Sequence, residues 1–203
     1  MRVDEEAPLG LRERKKLETR DALSWAVIRL TVERGWHNVT VADAAADANV
    51  SERTFRNYFS SKAEAVSARH LDRMMRIVAE LRSRPGEEPL WDAITDAVVG
   101  QFVGGNPQSK HWTDAVQLLL AEPDVEQGFV QATMTAQREL ADAIADRTGN
   151  DVAGELYPTL MAAAIGAAIG AAMEYWLRAD PPVEIEGLMR EALDRLRAGL
   201  PIP

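Results

Sequence analysis

The sequence has 203 residues, 46% of them hydrophobic and 27% charged, with a formal net charge of −9 and no cysteine. This is the composition of a globular chain, and the absence of thiols excludes a disulfide framework and all thiolate metal or nucleophile chemistry. The opening residues, MRVDEEAPLG, are acidic and lack an apolar core, so they do not read as a secretory signal; a cytoplasmic protein is expected.

The negative total hides an asymmetry. Residues 1–62 carry eleven Lys and Arg against ten Asp and Glu, whereas residues 63–203 carry twelve against twenty-two. Halves that differ in charge suggest halves that differ in role.

Taken in chain order, the pattern is helical throughout, and no alternating β-branched run predicts a strand. Leu23, Ala26, Val27 and Leu30 place one apolar stripe on a first helix, which is led by Arg12, Arg14, Lys15 and Lys16 and stopped at Gly35. Thr40-Val41-Ala42-Asp43 has capping-box spacing and opens a short helix running to about Ala48. Asn49 stands at a turn, where it tolerates positive φ, and Ser51 caps a third helix over Glu52 to Tyr58. Ser61-Lys62-Ala63-Glu64 is a second capping box, opening a helix towards Arg82 that the segment 84–89 breaks.

Further helices are predicted over Leu90–Val103, stopped by Gly104-Gly105-Asn106-Pro107, then over Ser109–Ala121 and from Pro123 to Arg147. An Ala-rich helix follows and ends at Leu177, with Pro158 either kinking it or marking its first turn. Its run from Leu160 to Met173 is wholly apolar, Ala or Gly for 14 residues, short of the roughly 20 that cross a bilayer. A buried helix is expected there. The last helix carries Ile185, Leu188, Met189, Ala192, Leu193 and Leu196 on one stripe. The expected fold is all-α, with about nine helices: a tail over 1–10, a helix-turn-helix domain over 11–60, and a helical body over 61–203.

Two short helices joined at Asn49-Val50 make a helix-turn-helix, in which the first braces the second and the second enters the major groove. Glu52, Arg53, Thr54, Arg56 and Asn57 give the second helix a dense hydrogen-bonding face behind its cap Ser51, and Phe55 anchors it. Thr40, Tyr58 and Lys62 lie at helix edges, within reach of phosphate.

Over Arg20–Val66 the chain resembles the DNA-binding domain of the TetR family of transcriptional repressors. The resemblance is carried by Arg20, Leu23, Ala26, Leu30, Glu33-Arg34-Gly35, Thr40-Val41, Asp43, Ala45, Ala48, Val50-Ser51, Thr54, Tyr58-Phe59 and Lys62, with no insertion. The sequence departs from the family's usual residues at Thr31, Ala44 and Asn49. It also departs at Arg53 and Arg56, which replace a Gly and a Tyr; Arg56 suits either a phosphate or a guanine edge.

The resemblance implies a homodimer on a near-palindromic double-stranded operator, released by a small-molecule effector held in the C-terminal body. It puts Ile165, Gly166, Ile169, Gly170, Met173, Leu188, Met189, Leu193 and Leu196 at the dimer interface; the apolar faces of the last two helices agree, although each stripe alone would also permit packing within one chain. Candidate pocket residues are Trp91, Phe102, Trp112, Met134, Met161 and Trp176, with His111, Gln117, Gln131 and Arg138 as polar contacts, and they suit an apolar or amphipathic effector. No cofactor or metal is expected: His37, His70 and His111 lack ligand spacing, and neither a nucleophile elbow nor a phosphate loop is present, so an enzyme is disfavoured. The alternative is a helical protein-binding adaptor with a non-functional helix-turn-helix, which Glu52 and the net charge of −9 favour.

Overall fold

Apolar residues three and four apart leave this chain no way to bury them except as helices, and a computed structural model, which describes residues 10–103 and 109–202, has that architecture. In order, the helices are α1 Leu11–Arg34, α2 Val41–Asp47, α3 Glu52–Tyr58, α4 Lys62–Ser83, α5 Leu90–Val99, α6 Lys110–Leu120, α7 Pro123–Thr148, α8 Leu156–Arg178 and α9 Ile185–Arg197, with a 3₁₀ turn at Trp36–Asn38. The sequence readings for residues 1–9 and for Gly104-Gly105-Asn106-Pro107 lie outside the described residues.

The chain divides into two units between Arg69 and His70. That division falls inside α4, beyond the expected break at residue 60. The reason lies in the first turns of α4, which the N-terminal unit holds. Ala63, Ala65, Val66 and Ala68 are buried, and Arg69 pairs with Asp21 and lies 4.0 Å from the Trp25 ring centroid.

In the first unit, Leu23, Ala26, Val27 and Leu30 bury the stripe of α1 as its spacing predicts. Gly35 ends α1 at φ 81°, its amide donating to Thr31 O at 2.8 Å, a conformation that favours glycine. Phe55 and Phe59 are fully buried and meet edge to face at 5.7 Å. Burial of a side chain of this size contributes roughly 1.5–3 kcal/mol. Ala44, the small residue at a core position of α2, is also fully buried. The Glu64 carboxylate reaches one residue further back than the predicted capping box, accepting from the Ser60 amide at 2.7 Å, while the Glu64 amide donates to Ser61 Oγ at 3.1 Å.

In the second unit α8 packs against both α7 and α9. Ile94, Val98, Ile144, Ile165, Met189 and Leu193 form the centre of the core. Helix α5 stops at Val99 rather than Val103, because Gly100 takes the C-cap and its amide bonds Asp96 O at 2.9 Å. Pro123 starts α7, and Pro158 lies in the first turn of α8, where its missing amide costs nothing; it starts the helix rather than kinking it. The breaker at 84–89 is pinned by Arg147, which donates to the carbonyls of Arg84, Pro85 and Glu88.

Helix α8 is 23 residues long, longer than its purely apolar run, and by length and composition alone it is apolar enough to cross a membrane. The apolar run is extended by Leu156-Tyr157-Pro158 at one end and Tyr175-Trp176-Leu177 at the other. Met161, Ala162, Ile165, Ile169 and Ala172 are nevertheless buried in the core of the second unit, as in a body helix.

Candidate functional site

One reciprocal cap and one simple cap shape the helix-turn-helix. Thr40 Oγ1 accepts from the Asp43 amide at 3.1 Å, and the Asp43 carboxylate accepts from the Thr40 amide at 2.9 Å and its hydroxyl at 2.5 Å. Those bonds from Thr40 hold the Asp43 carboxyl below the usual carboxylate range. Asn49 turns the chain at φ 55°, and the Val50 amide closes the turn onto Ala45 O at 2.9 Å. Ser51 then caps α3, accepting from the Thr54 amide at 3.1 Å.

The result is a short helix with Phe55 facing inward and Glu52, Arg53, Arg56 and Asn57 exposed; Thr54 and Tyr58 are partly buried at its edge. Arg56 is bonded to Glu52 through Nη2 at 2.6 Å and Nε at 3.1 Å, so one predicted reader of DNA holds another in the free chain. Arg53 and Asn57 lie on the same exposed helix. Lys62 is engaged differently: its ammonium donates to the carbonyls of Trp36 and Val39, which places it as a tie within the unit.

The second unit contains a partly open cavity of about 630 Å³. Met74, Ile77, Val78, Phe102, Leu140 and Ile169 give it an apolar wall. Its polar residues are His70, Arg73, Gln117, Glu126, Thr133, Gln137 and Glu174. The His70 ring stacks on Phe129 at 4.6 Å, and its Nε2 lies 3.1 Å from Thr133 Oγ1. Burial, reinforced by the Arg73 guanidinium, pushes the His70 pKa down to about 4, so the ring is neutral at pH 7. The Arg73 guanidinium lies 4.8 Å from the Phe102 ring centroid. On the α8 side, Gly166 gives room to Gln137: a Cβ there would lie 2.9 Å from Gln137 Nε2.

Of the sequence-predicted pocket residues, Phe102 and Gln117 line this cavity. The others do not, and that expectation is corrected. His111, Gln131, Met134 and Arg138 are exposed, and Met161 is buried in the core. Trp112 meets Trp176 edge to face at 6.0 Å, Trp176 Nε1 donates to Val183 O at 3.1 Å, and Trp91 packs on the core. These aromatic residues hold helices together. His70, Arg73, Phe129, Thr133 and Gln137 were not singled out as pocket residues, and the one sequence signal for them was Gly166, a glycine inside a helix that makes space for a side chain.

The predicted dimer residues fall into two groups within the single chain. Ile165, Ile169, Met189 and Leu193 are buried inside a single chain, while Gly166, Ile169, Gly170 and Met173 line the cavity. Leu188 and Leu196 pack partly buried on the same core. The four buried residues of the stripe are spent on the chain's own core, whereas Gly166, Gly170, Met173, Leu188 and Leu196 keep some exposed surface. The face of α8 left exposed carries Tyr157, Leu160, Ala167, Ala171 and Tyr175, spaced three, seven, four and four residues apart.

Comparison with known proteins places both units. Residues 26–68 match the family described as bacterial regulatory proteins, tetR family, and residues 88–201 match the MftR C-terminal domain. The HTH-type transcriptional regulator TcmR of Streptomyces glaucescens is 30% identical over 200 residues, covering 94% of this chain and 88% of that protein. Among solved structures, the fatty acid degradation regulator FadR from Bacillus halodurans superposes with a TM-score of 0.61 at 18% identity, covering 91% of this chain and 97% of the other. The multidrug binding protein EbrR, complexed with malachite green, does so with a TM-score of 0.54 at 20% identity, covering 90% and 98%.

Proposed function

Because the chain belongs to the TetR family of bacterial transcriptional regulators, we propose that it is a homodimeric repressor that leaves a near-palindromic operator when a small molecule fills the cavity of its second unit. The observation that carries this reading is the pairing, in one chain, of a helix-turn-helix whose two helices are each side-chain capped with a largely apolar, partly open cavity. Ser51, Glu52, Arg53, Thr54, Arg56, Asn57 and Tyr58 face the DNA in this reading, with Thr40 at its edge. Helix α4 runs unbroken from the first unit into the second and is the covalent route between them.

The effector is apolar or amphipathic. Its cavity offers a neutral imidazole and amide and hydroxyl groups, with Arg73 as the one cation against Glu126 and Glu174, so it favours a ligand without net negative charge. EbrR, of the same fold, is complexed with malachite green, a precedent for an aromatic occupant. The family's place as bacterial transcription regulators supports a cytoplasmic site of action.

The test is binding of the purified protein to the intergenic DNA beside its own gene, titrated against salt and then against candidate effectors. Tight binding that competes poorly with random DNA and weakens steeply with salt supports the reading. Absence of DNA binding at low salt overturns it in favour of an adaptor.

A further inference from the structure

The buried stripe of α1 changes character towards its start. Leu23, Ala26, Val27 and Leu30 are buried, and stepping back along the same face by threes and fours gives Thr19, Lys16, Lys15 and Arg12. Every residue from Leu11 to Glu18 is exposed. Helix α1 therefore continues past the body of its unit, and the face that was apolar becomes cationic there. The two acids of this stretch, Glu13 and Glu18, fall on the opposite face with Arg14 and Leu17. Among the described residues Arg12 and Lys15 have no acidic partner, and Lys16 has only a 3.8 Å contact with Glu13.

This arrangement runs against the helix's own interest. The N-terminal end of a helix carries the positive pole of its dipole, and Gly10 supplies no side-chain cap. Cations at that end repel the pole, so nothing within the helix explains them. A local choice that weakens folding without a compensating contact among the described residues points to an anion supplied from outside.

The position of the stripe says which anion. Arg20 lies 4.8 Å from the ring centroid of Phe59, the residue that ends α3, so α1 passes the C-terminal end of the recognition helix at that point. At 1.5 Å per residue, Lys16 and Arg12 lie about 6 and 12 Å further along α1. A major groove is about 12 Å wide, which puts the stripe within reach of the backbone bordering the groove that α3 enters. We propose that Arg12, Lys15 and Lys16 form a second DNA contact that holds backbone phosphates beside that groove; the inference rests on the DNA-binding reading above. These residues contact phosphate, not base edges, so they add affinity and fix register without reading sequence.

The experiment uses the full chain and a duplex that the wild-type protein selects from a random pool. The Arg12→Gln/Lys15→Gln/Lys16→Gln variant is expected to lower the slope of log affinity against log salt by about two to three units, close to 0.9 per lost phosphate contact. Affinity at physiological salt falls at least about tenfold with the order of preferred sequences unchanged. Arg14→Gln, on the opposite face, is expected to bind within about twofold of wild type, and Arg12→Lys/Lys15→Arg/Lys16→Arg, which keeps the charges, likewise. An unchanged slope in the triple Gln variant overturns the contact. An equal loss in Arg14→Gln overturns the face. Failure of the wild type to select any duplex instead overturns the DNA-binding reading on which both rest.

Discussion

Lys62 closes its ammonium over Trp36: Nζ lies 3.9 Å from the ring centroid and donates to the carbonyls of Trp36 and Val39, the latter at 2.9 Å. The first turn of α4 is thereby tied to the segment that leads into α2. All the donors of an ammonium are engaged by such a set. Lys62→Gln is expected to lower stability by about 1–2 kcal/mol in urea unfolding. It should weaken DNA binding evenly across sequences with an unchanged salt slope. A slope smaller by about one unit would return Lys62 to the phosphate role that its sequence position suggested.

Thr31, one of the positions where the sequence departs from the family's usual residue, is buried, and its hydroxyl has no hydrogen-bond partner among the described residues. Its neighbour on α1, Ser24, by contrast donates to Arg20 O at 3.2 Å. An unsatisfied buried hydroxyl is destabilising, and Val has nearly the same shape without it. Thr31→Val is expected to raise stability by about 1 kcal/mol in urea unfolding, with DNA affinity unchanged. A loss of stability would mean that the hydroxyl is satisfied in solution.

The elements that were legible in the sequence were those whose signals are local. Thr40, Asp43, Asn49 and Ser51 each act within four residues, so the helix-turn-helix could be placed to a residue. The cavity was not legible because its walls come from α4, α6, α7 and α8, and a residue's side of a helix matters there more than its type. Trp112 and Trp176 look like ligand-binding aromatics in sequence and spend their surface on each other. The stripe of Ile165, Ile169, Met189 and Leu193 announced a buried face correctly, but periodicity cannot say whether the same chain or a second copy covers it.

Gly170 lines the cavity, and a Cβ built there meets nothing within 4 Å. Its φ is not in the left-handed region, so a larger residue is compatible with the helix. Gly170→Leu is expected to raise stability by roughly 0.5–1 kcal/mol through helix propensity. The same side chain occupies effector space. Operator affinity should persist while release by a cavity-binding effector is lost, read by titrating the effector against the preformed complex. Unimpaired release would place the effector elsewhere.

His70 gives the second unit a pH dependence whose sign is fixed. Its pKa is about 4 in the folded chain, below the ordinary 6.5, so between these values the unfolded chain binds more protons. Stability from neutral His70 is therefore present above pH 6.5 and is lost as pH falls towards 4, amounting to at most about 3 kcal/mol. Arg73 on α4 opposes its protonation, and Glu126 on α7 and Glu174 on α8 are the acids lining the same cavity. Urea unfolding at pH 7.5 and pH 5 should show wild type losing more stability than His70→Asn. Equal losses would mean that the ring is solvated and titrates normally.

The dimer proposal now attaches to a different face from the one periodicity suggested. On α8, Tyr157, Leu160 and Tyr175 are 47%, 58% and 58% exposed, with Ala167 and Ala171 between them on the same side. Large apolar groups flanking small ones let two helices approach closely along the middle and interlock at the ends. The chain gains nothing internally from these groups, because the opposite face of α8 already supplies the core. Leu160→Glu is thus expected to leave the urea midpoint of the isolated chain unchanged while halving the mass seen by light scattering. Loss of the second half-site should then weaken binding to a palindromic duplex by about 100-fold and leave a single half-site unaffected. A wild-type chain that is monomeric at all concentrations, or a Leu160→Glu variant that remains dimeric, would remove this face as the interface.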